Sequence, residues 1–107
     1  MKGMPNMGNM QGMMKQMQKV QKEMQAEQAN LEASVFEAQD TNRLVQVKVN
    51  GKKEIIELNI AADLVDPDDI DMLQDLVIAT VNDALGQVDR ATEQRMGRFT
   101  QGLNLPF

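Results

Sequence analysis

Apolar residues recur along the first third of the chain at the spacing of one face of a long helix. From about residue 9 onward they are separated by 3, 4, 3, 4 and 7 residues, as in a heptad pattern. They are Met10, Met13, Met17, Val20, Met24 and Leu31. Glu27 interrupts the stripe between the last two of them. The pattern predicts a long N-terminal helix after a flexible tail over residues 1–9.

The middle of the chain changes to a period of two. Two runs of alternating apolar residues lie on either side of Asn50-Gly51 and predict a β-hairpin. A two-residue turn would place Val47 opposite Glu54 and mix the faces, whereas a four-residue loop over residues 50–53 aligns apolar positions. We therefore predict the longer loop, with the aligned side chains buried on one face. The expected pairs are Val47 with Ile56 and Val45 with Leu58.

A further strand precedes this hairpin. Residues 33–39 have strand character, and the Asp40-Thr41-Asn42 segment after them has the composition of a turn. The three strands together predict a three-stranded antiparallel β-meander.

The last element is a second long helix. The sequence predicts that it starts with Asp66 at the N-cap and Pro67 at the first helical position. The two acidic residues that follow favour the positive end of the helix dipole. The apolar stripe continues to about Met96, and Gly97 is expected to end it. Such a helix is about 45 Å long, against a radius of gyration near 13 Å for a compact 100-residue domain, so it must protrude.

These elements predict an α+β fold in which a long N-terminal helix, a three-stranded antiparallel β-meander and a long C-terminal helix follow one another. At 107 residues, the chain is expected to form a single domain over residues 1–107, with a C-terminal tail over residues 98–107.

Composition narrows the possible chemistry. The chain has no cysteine and no histidine, which removes the usual zinc ligands, the Ser-His and Cys-His nucleophile systems and the commonest general base. We therefore expect no enzyme activity, no metal, no cofactor and no small-molecule substrate. Because no apolar run resembles a signal peptide or a membrane span, we expect a cytoplasmic protein without a membrane partner.

Charge is sorted by position. The formal net charge is −5, but residues 1–22 have a balance of +4, residues 90–107 one of +2, and the stretch between them one of −11. Affinity for phosphate depends on local potential rather than on the total, so the two basic ends are compatible with nucleic-acid binding. The candidate DNA-binding residues are Lys15, Lys19, Lys22, Arg90, Arg95 and Arg98.

Several short motifs together resemble a known family. They are the Met/Gln/Lys-rich helix, the hairpin Val49-Asn50-Gly51-Lys52, the helix start Leu64-Val65-Asp66-Pro67-Asp68-Asp69 and the tail Met96-Gly97-Arg98-Phe99-Thr100-Gln101-Gly102-Leu103. With these residues the chain resembles, over its whole length, the YbaB/EbfC family of bacterial nucleoid-associated proteins. The resemblance implies a tweezers-like homodimer, with joined sheets as its base and paired helices as prongs. It also implies binding of double-stranded DNA in the nucleoid without a catalytic step.

Other interpretations stay open at this stage. The lysines can be the solvated face of an amphipathic helix, and the methionines can form a Met-rich peptide-binding or chaperone-like module, since Met-rich surfaces adapt to many apolar partners. Met4, Met7, Met10 and Met13 repeat every third residue, a spacing that could also suit Cu(I). The acidic residues between 63 and 75 lack the glycine and terminal glutamate of a calcium-binding loop, and helix capping accounts for several of them.

Overall fold

The order of elements agrees with the sequence prediction. A computed structural model describes the backbone of residues 4–103 and the side chains of residues 10–99. Its elements are the helix α1 (Met4–Ala33), the strands β1 (Val35–Gln39), β2 (Val45–Asn50) and β3 (Ile55–Ile60), a short 3-10 helix (Ala62–Leu64) and the helix α2 (Ile70–Leu103). The predicted α+β architecture is confirmed.

The three strands form one antiparallel sheet in the order β1-β2-β3. In it Val47 pairs with Leu58, and Val45 pairs with Ile60. The predicted pairing of Val47 with Ile56 is therefore wrong by two residues. One residue of this shift comes from an irregularity beside Lys48 and Val49, where the partners jump from Glu57 to Ile55 and leave Ile56 unpaired as a bulge. The other comes from the turn, because Val49 pairs with Ile55 rather than with Glu54. Leu58 and Ile60 stay on the predicted face, beside the valines, whereas Ile55 lies opposite Val49 and so changes face.

The turn between β2 and β3 is organised by the side chain of Asn50. Its Oδ1 accepts hydrogen bonds from the backbone N–H groups of Lys52 (2.9 Å) and Glu54 (3.1 Å), and its Nδ2 donates to Glu54 Oε1 (2.7 Å). Lys53 adopts the left-handed conformation, with φ of 65°. The backbone of Gly51 lies against the end of α1, where its N–H donates to the Glu32 carbonyl at 3.3 Å. The hairpin is thereby attached to α1.

The core lies between α2 and two of the three strands. Val45, Val47 and Val49 of β2 are fully buried, and Ala84 and Val88 of α2 pack on the same side of the sheet. The third strand is different, because every residue of β3 is exposed. Ile56 is 52% exposed, and Leu58 is also exposed, so the prediction that they are buried beside the valines is wrong. The reason is that α2 packs on β1 and β2.

The start of α2 lies three residues later than predicted. Residues 66–69 form a turn, in which the Asp69 N–H donates to the Asp66 carbonyl and the Asp68 N–H donates to Asp66 Oδ1. Asp69 then caps the helix, since its Oδ1 accepts a hydrogen bond from the Met72 N–H at 3.2 Å. The prediction of Asp66 as the N-cap is therefore wrong. The Asp-Pro-Asp-Asp sequence suits both a turn and a helix start, and the turn precedes the helix.

Both long helices extend beyond their predicted bounds. The first begins at Met4 rather than near residue 9, which Pro5 permits because its missing N–H needs no partner in a first turn. The second continues through Gly97 to Leu103 rather than ending at Met96. A glycine inside a helix costs only about 1 kcal/mol relative to alanine, and the buried Phe99 holds the next turn in place. The predicted C-terminal tail is thus helical as far as Leu103, and residues 104–107 lie outside the described chain.

The two helices run antiparallel, which makes the molecule long. Arg95 of α2 contacts both Ser34 and Glu27, whereas Arg98, further along α2, contacts Glu27. From this junction α1 extends about 45 Å in one direction and α2 about 37 Å in the other, at 1.5 Å per residue. These lengths agree with a long axis of 84 Å and with a radius of gyration of 22.2 Å. In the described part of the chain, no helix is long and apolar enough to span a bilayer.

The turn between β1 and β2 is held by Asp40. Its Oδ1 accepts a hydrogen bond from the Val45 N–H at 2.6 Å, and its Oδ2 accepts one from the Asn42 N–H at 3.0 Å. The bond from Val45 is the main cause that lowers the pKa of the Asp40 carboxyl below its ordinary value of 3.8. Arg43 takes the left-handed conformation that closes the turn, with φ of 58°. The predicted turn is confirmed.

Candidate nucleic-acid interface

Three lysines lie on the outer face of the protruding part of α1. Lys15, Lys19 and Lys22 fall within about 60° of one another around the helix axis, and all three are exposed. Three glutamines between and beside them, which the sequence analysis did not single out as candidates, complete a continuous polar surface. They are Gln18, Gln21 and Gln25, and Gln11 beyond its outer end is also exposed. We call Lys15, Lys19 and Lys22 the lysine stripe.

The methionine side of α1 is only partly covered. Met10, Met13, Met14 and Met17 are 59–65% exposed, whereas Leu31 near the end of the helix is buried. Val20 and Met24, between them, are half-buried. The apolar stripe therefore packs near the junction with α2 and is open to solvent toward the N-terminus. The side chains of Met4 and Met7, which belong to the Cu(I) interpretation, lie outside the described side chains.

Glu27 occupies the position at which the apolar stripe of α1 is interrupted. Its Oε1 accepts a hydrogen bond from Arg95 Nε at 2.5 Å, and its Oε2 lies 3.8 Å from Arg98 Nη2. Arg95 also donates from Nη1 to the hydroxyl of Ser34 at 3.2 Å. Two of the candidate DNA-binding arginines therefore contact a carboxylate of the chain itself. We call Glu27, Ser34, Arg95 and Arg98 the junction cluster.

The junction cluster and the lysine stripe do not merge into one surface. Around the axis of α1, the lysines lie about 80–140° away from Glu27. Arg95 is half-buried between the helices, whereas Arg98 is more exposed and lies over the ring of Phe99, 4.5 Å from its centre. Arg90 lies further down α2 and is exposed, with its guanidinium close to Gly86. The structure thus places the three arginines along α2 rather than beside the lysines.

Hairpin lysines have partners of their own. Lys53 Nζ lies 2.5 Å from Asp89 Oδ1 of α2, and Lys48 Nζ lies 3.5 Å from Glu57 Oε2 across the sheet. All four side chains are substantially exposed, so each pair contributes little to stability. These pairs neutralise positive charge at the sheet, which leaves the lysine stripe as the concentrated positive surface of α1.

The aspartates between residues 63 and 75 lie at the other end of the molecule from the lysine stripe. Asp71, in the first turn of α2, is about 50 Å from Lys19 along the long axis, at 1.5 Å per helical residue. The Debye length at physiological salt is about 8 Å, so charges that far apart do not affect each other. Within residues 10–99, no three acidic side chains are arranged to hold a metal ion. The net charge of −5 therefore says little about the potential at the lysine stripe.

Known proteins resemble this chain over almost its whole length. A model of the YbaB/EbfC DNA-binding family matches residues 7–103. A protein of Listeria monocytogenes named as nucleoid-associated is 56% identical over 103 residues, which are 96% of this chain and 98% of that protein. Another so named, from Oceanobacillus iheyensis, is 54% identical over 99 residues, or 92% and 95% of the two chains.

A solved structure shares the fold. The crystal structure of an uncharacterised protein from Helicobacter pylori aligns with a TM-score of 0.64 and 18% sequence identity. The alignment covers 77% of this chain and 86% of that one. At this identity the likeness concerns the fold alone.

Proposed function

This chain belongs to the YbaB/EbfC DNA-binding family, and we propose that it binds duplex DNA in the bacterial nucleoid through the lysine stripe of α1. The observation that carries this proposal is a protruding helix whose outer face presents Lys15, Lys19 and Lys22 with no acidic residue between them. The names of the relatives from Listeria and Oceanobacillus, both nucleoid-associated proteins, support it. The proposed action is binding without a catalytic step.

Phosphate contacts account best for the chemistry of this surface. Lysine offers a compact, flexible positive charge that suits phosphate without fixing a sequence. From Lys15 to Lys22 the stripe is about 10 Å long, a length over which duplex DNA carries roughly six phosphate charges. Phe36 is half-buried and Phe99 is buried, so neither can act as a stacking platform for bases. We therefore expect little preference among unrelated sequences.

Two of the arginines have different expected roles. Arg90 is exposed and free to add a phosphate contact if DNA follows α1 toward the sheet. Arg95, held by Glu27 and Ser34, is better suited to fixing the two helices than to meeting DNA.

We also propose that the functional form is a homodimer. The free edge of β3 presents unpaired backbone groups, and its side chains form an apolar surface with neighbouring residues. The exposed members are Ile55, Ile56, Leu58, Ile60, Val65, Ile70 and Met72. A second copy would cover this surface and would place two α1 helices on one particle, as the two prongs of a pair of tweezers. Light scattering at micromolar concentration should then give twice the 12.0 kDa mass of one chain.

Salt dependence tests the DNA interface. Each bound phosphate contributes about −0.9 to the slope of log K against log salt, so three to six phosphates weaken binding by roughly 40-fold to 2,000-fold between about 50 and 200 mM. The variant K15Q/K19Q should reduce the slope by about 0.9 for every phosphate that it no longer binds, equally on unrelated duplexes. The matched control is K52Q/K53Q, which removes the same charge from the hairpin. Equal reductions in affinity by both variants would mean that only total charge matters.

The exposure of Met10, Met13, Met14 and Met17 favours a second candidate function, the binding of apolar peptides. A chaperone-like chain would suppress the aggregation of reduced insulin, and the variant M13Q/M17Q would lose that activity while keeping its affinity for DNA. Loss of DNA binding alone in K15Q/K19Q, with no effect of the chain on insulin, would favour the DNA interface.

A further inference from the structure

Glu27 is the acidic residue of α1 whose carboxylate contacts the arginines of α2. Its two oxygens are divided between them, Oε1 toward Arg95 and Oε2 toward Arg98. The Glu27 side chain is only 22% exposed, whereas Glu23, one turn earlier on the same helix, is exposed. The structure therefore has a carboxylate at the place where two of the chain's basic residues converge.

The two arginines are held to different degrees. Arg95 is 33% exposed and makes two side-chain hydrogen bonds, to Glu27 and to Ser34. Arg98 is 62% exposed, and its distance of 3.8 Å from Glu27 is too long for a hydrogen bond. Its guanidinium is positioned by the ring of Phe99 instead. Arg98 can therefore meet an external anion without breaking a hydrogen bond to Glu27.

Carboxylates and phosphates are alternative ligands of the same kind for a guanidinium group, since both accept parallel N–H hydrogen bonds. A DNA phosphate that approaches Arg98 would come close to the negative charge of Glu27. The junction cluster thus resembles an anion site that is already occupied by the chain's own carboxylate.

We propose that Glu27 limits the affinity for DNA by lowering the net charge of the junction cluster from +2 to +1, which weakens the attraction of Arg98 for phosphate. This inference rests on the proposed DNA binding and assigns a tuning role to a residue that does not itself contact DNA. Glu27 keeps Arg95 as a structural link between the helices. Its charge also keeps Arg98 from adding a full phosphate contact to those of the lysines.

The test compares Glu27→Gln with Glu23→Gln in the full-length chain. Both variants remove one negative charge from α1, but only the first removes it beside the arginines, and glutamine retains an oxygen that can accept from Arg95. Titration of a short fluorescent duplex at several salt concentrations gives affinity and salt slope together. We expect E27Q to bind roughly 1.5- to fivefold more tightly than E23Q, the range of an exposed ion pair. Its slope should be steeper by about 0.9 for each additional phosphate that it binds.

Arg98→Gln completes the experiment, and its effect on the otherwise unchanged chain does not depend on how well E27Q folds. In the otherwise unchanged chain, R98Q should reduce the salt slope less than K19Q does, because Glu27 offsets part of the charge of Arg98. In the E27Q background, the same substitution should remove the gain. Equal binding by E27Q and E23Q would overturn the inference, as would an R98Q effect on the unchanged chain as large as that of K19Q. If neither the unchanged chain nor any variant binds DNA, the proposed function fails together with this inference. If the unchanged chain binds DNA and the affinities of E27Q and E23Q are equal, only the role of Glu27 is refuted.

Discussion

Replacing Gly51 by alanine should detach the hairpin from α1. A Cβ atom at this position would overlap the carbonyl group of Leu31 and lie 2.8 Å from Glu32 Cα. All three of these atoms belong to the backbone, so no change of rotamer can relieve the overlap. Gly51 does not have a positive φ. The asparagine–glycine pair is therefore explained here by the close approach of two backbones rather than by the turn conformation.

The size of the effect follows from two losses. Overpacking of a well-packed contact costs about 1–3 kcal/mol, and the hydrogen bond from the Gly51 N–H to the Glu32 carbonyl contributes about 1 kcal/mol. Urea denaturation followed by circular dichroism should therefore show G51A to be less stable by about 2–4 kcal/mol. Both chains must be compared at the same protein concentration, because a dimer adds a concentration-dependent contribution.

Gly97 provides the matched control. It lies inside α2 and has nothing within 4 Å of the position that its Cβ would occupy. Alanine at this site should stabilise the helix by about 0.5–1 kcal/mol, since it removes the conformational cost of a glycine in a helix interior. The two substitutions are thus expected to change stability in opposite directions. A G51A chain as stable as the unchanged one would refute the described packing of the hairpin on α1.

Two further predictions concern the turn and the helix cap. The pKa of the Asp40 carboxyl is lower in the folded chain than its ordinary value of 3.8, so its contribution to stability is fully present above pH 3.8. That contribution is lost as the pH falls through the lower pKa of the folded chain. Between pH 5 and pH 3 the midpoint temperature of thermal unfolding should therefore fall less steeply for D40N than for the unchanged chain. Parallel curves of this temperature against pH would contradict this account. D69A should lose about 1 kcal/mol of stability with the N-cap of α2. In urea denaturation D66A should cost less, and a larger loss from D66A would place the cap at Asp66.

The sequence predicted the identity and order of the elements because their signals are local. One residue of the two-residue shift in the hairpin arose from the bulge at Ile56 and the other from the turn. No residue pattern announces the bulge, since an isoleucine at that position fits a regular strand equally well. The N-cap was ambiguous for a similar reason. Asp66 and Asp69 are both capable of capping, and only the turn between them decides which one does so.

The junction cluster could not be predicted because its members are far apart in sequence. Glu27 and Arg95 are separated by 68 residues. The local pattern revealed only that the apolar stripe of α1 is polar at Glu27, and a polar seam position is equally compatible with exposure to solvent. Arg95 and Arg98 could have pointed to the contact, because they lie beside Glu27 when α1 and α2 run antiparallel. The sequence alone does not show that the two helices have this orientation.

The uncovered strand and the proposed DNA interface are connected by the shape of the molecule. Since α2 packs on β1 and β2, the apolar side chains of β3 stay exposed in a single chain, and burying them on a second copy would join two sheets at the base. The lysine stripe lies far above that base, on a part of α1 that no described element covers. A dimer formed in this way would therefore leave both stripes free and would present them together to one duplex. Once one stripe has bound a duplex, binding of the linked second stripe becomes intramolecular. Modest phosphate binding by each helix can therefore give the dimer a useful affinity.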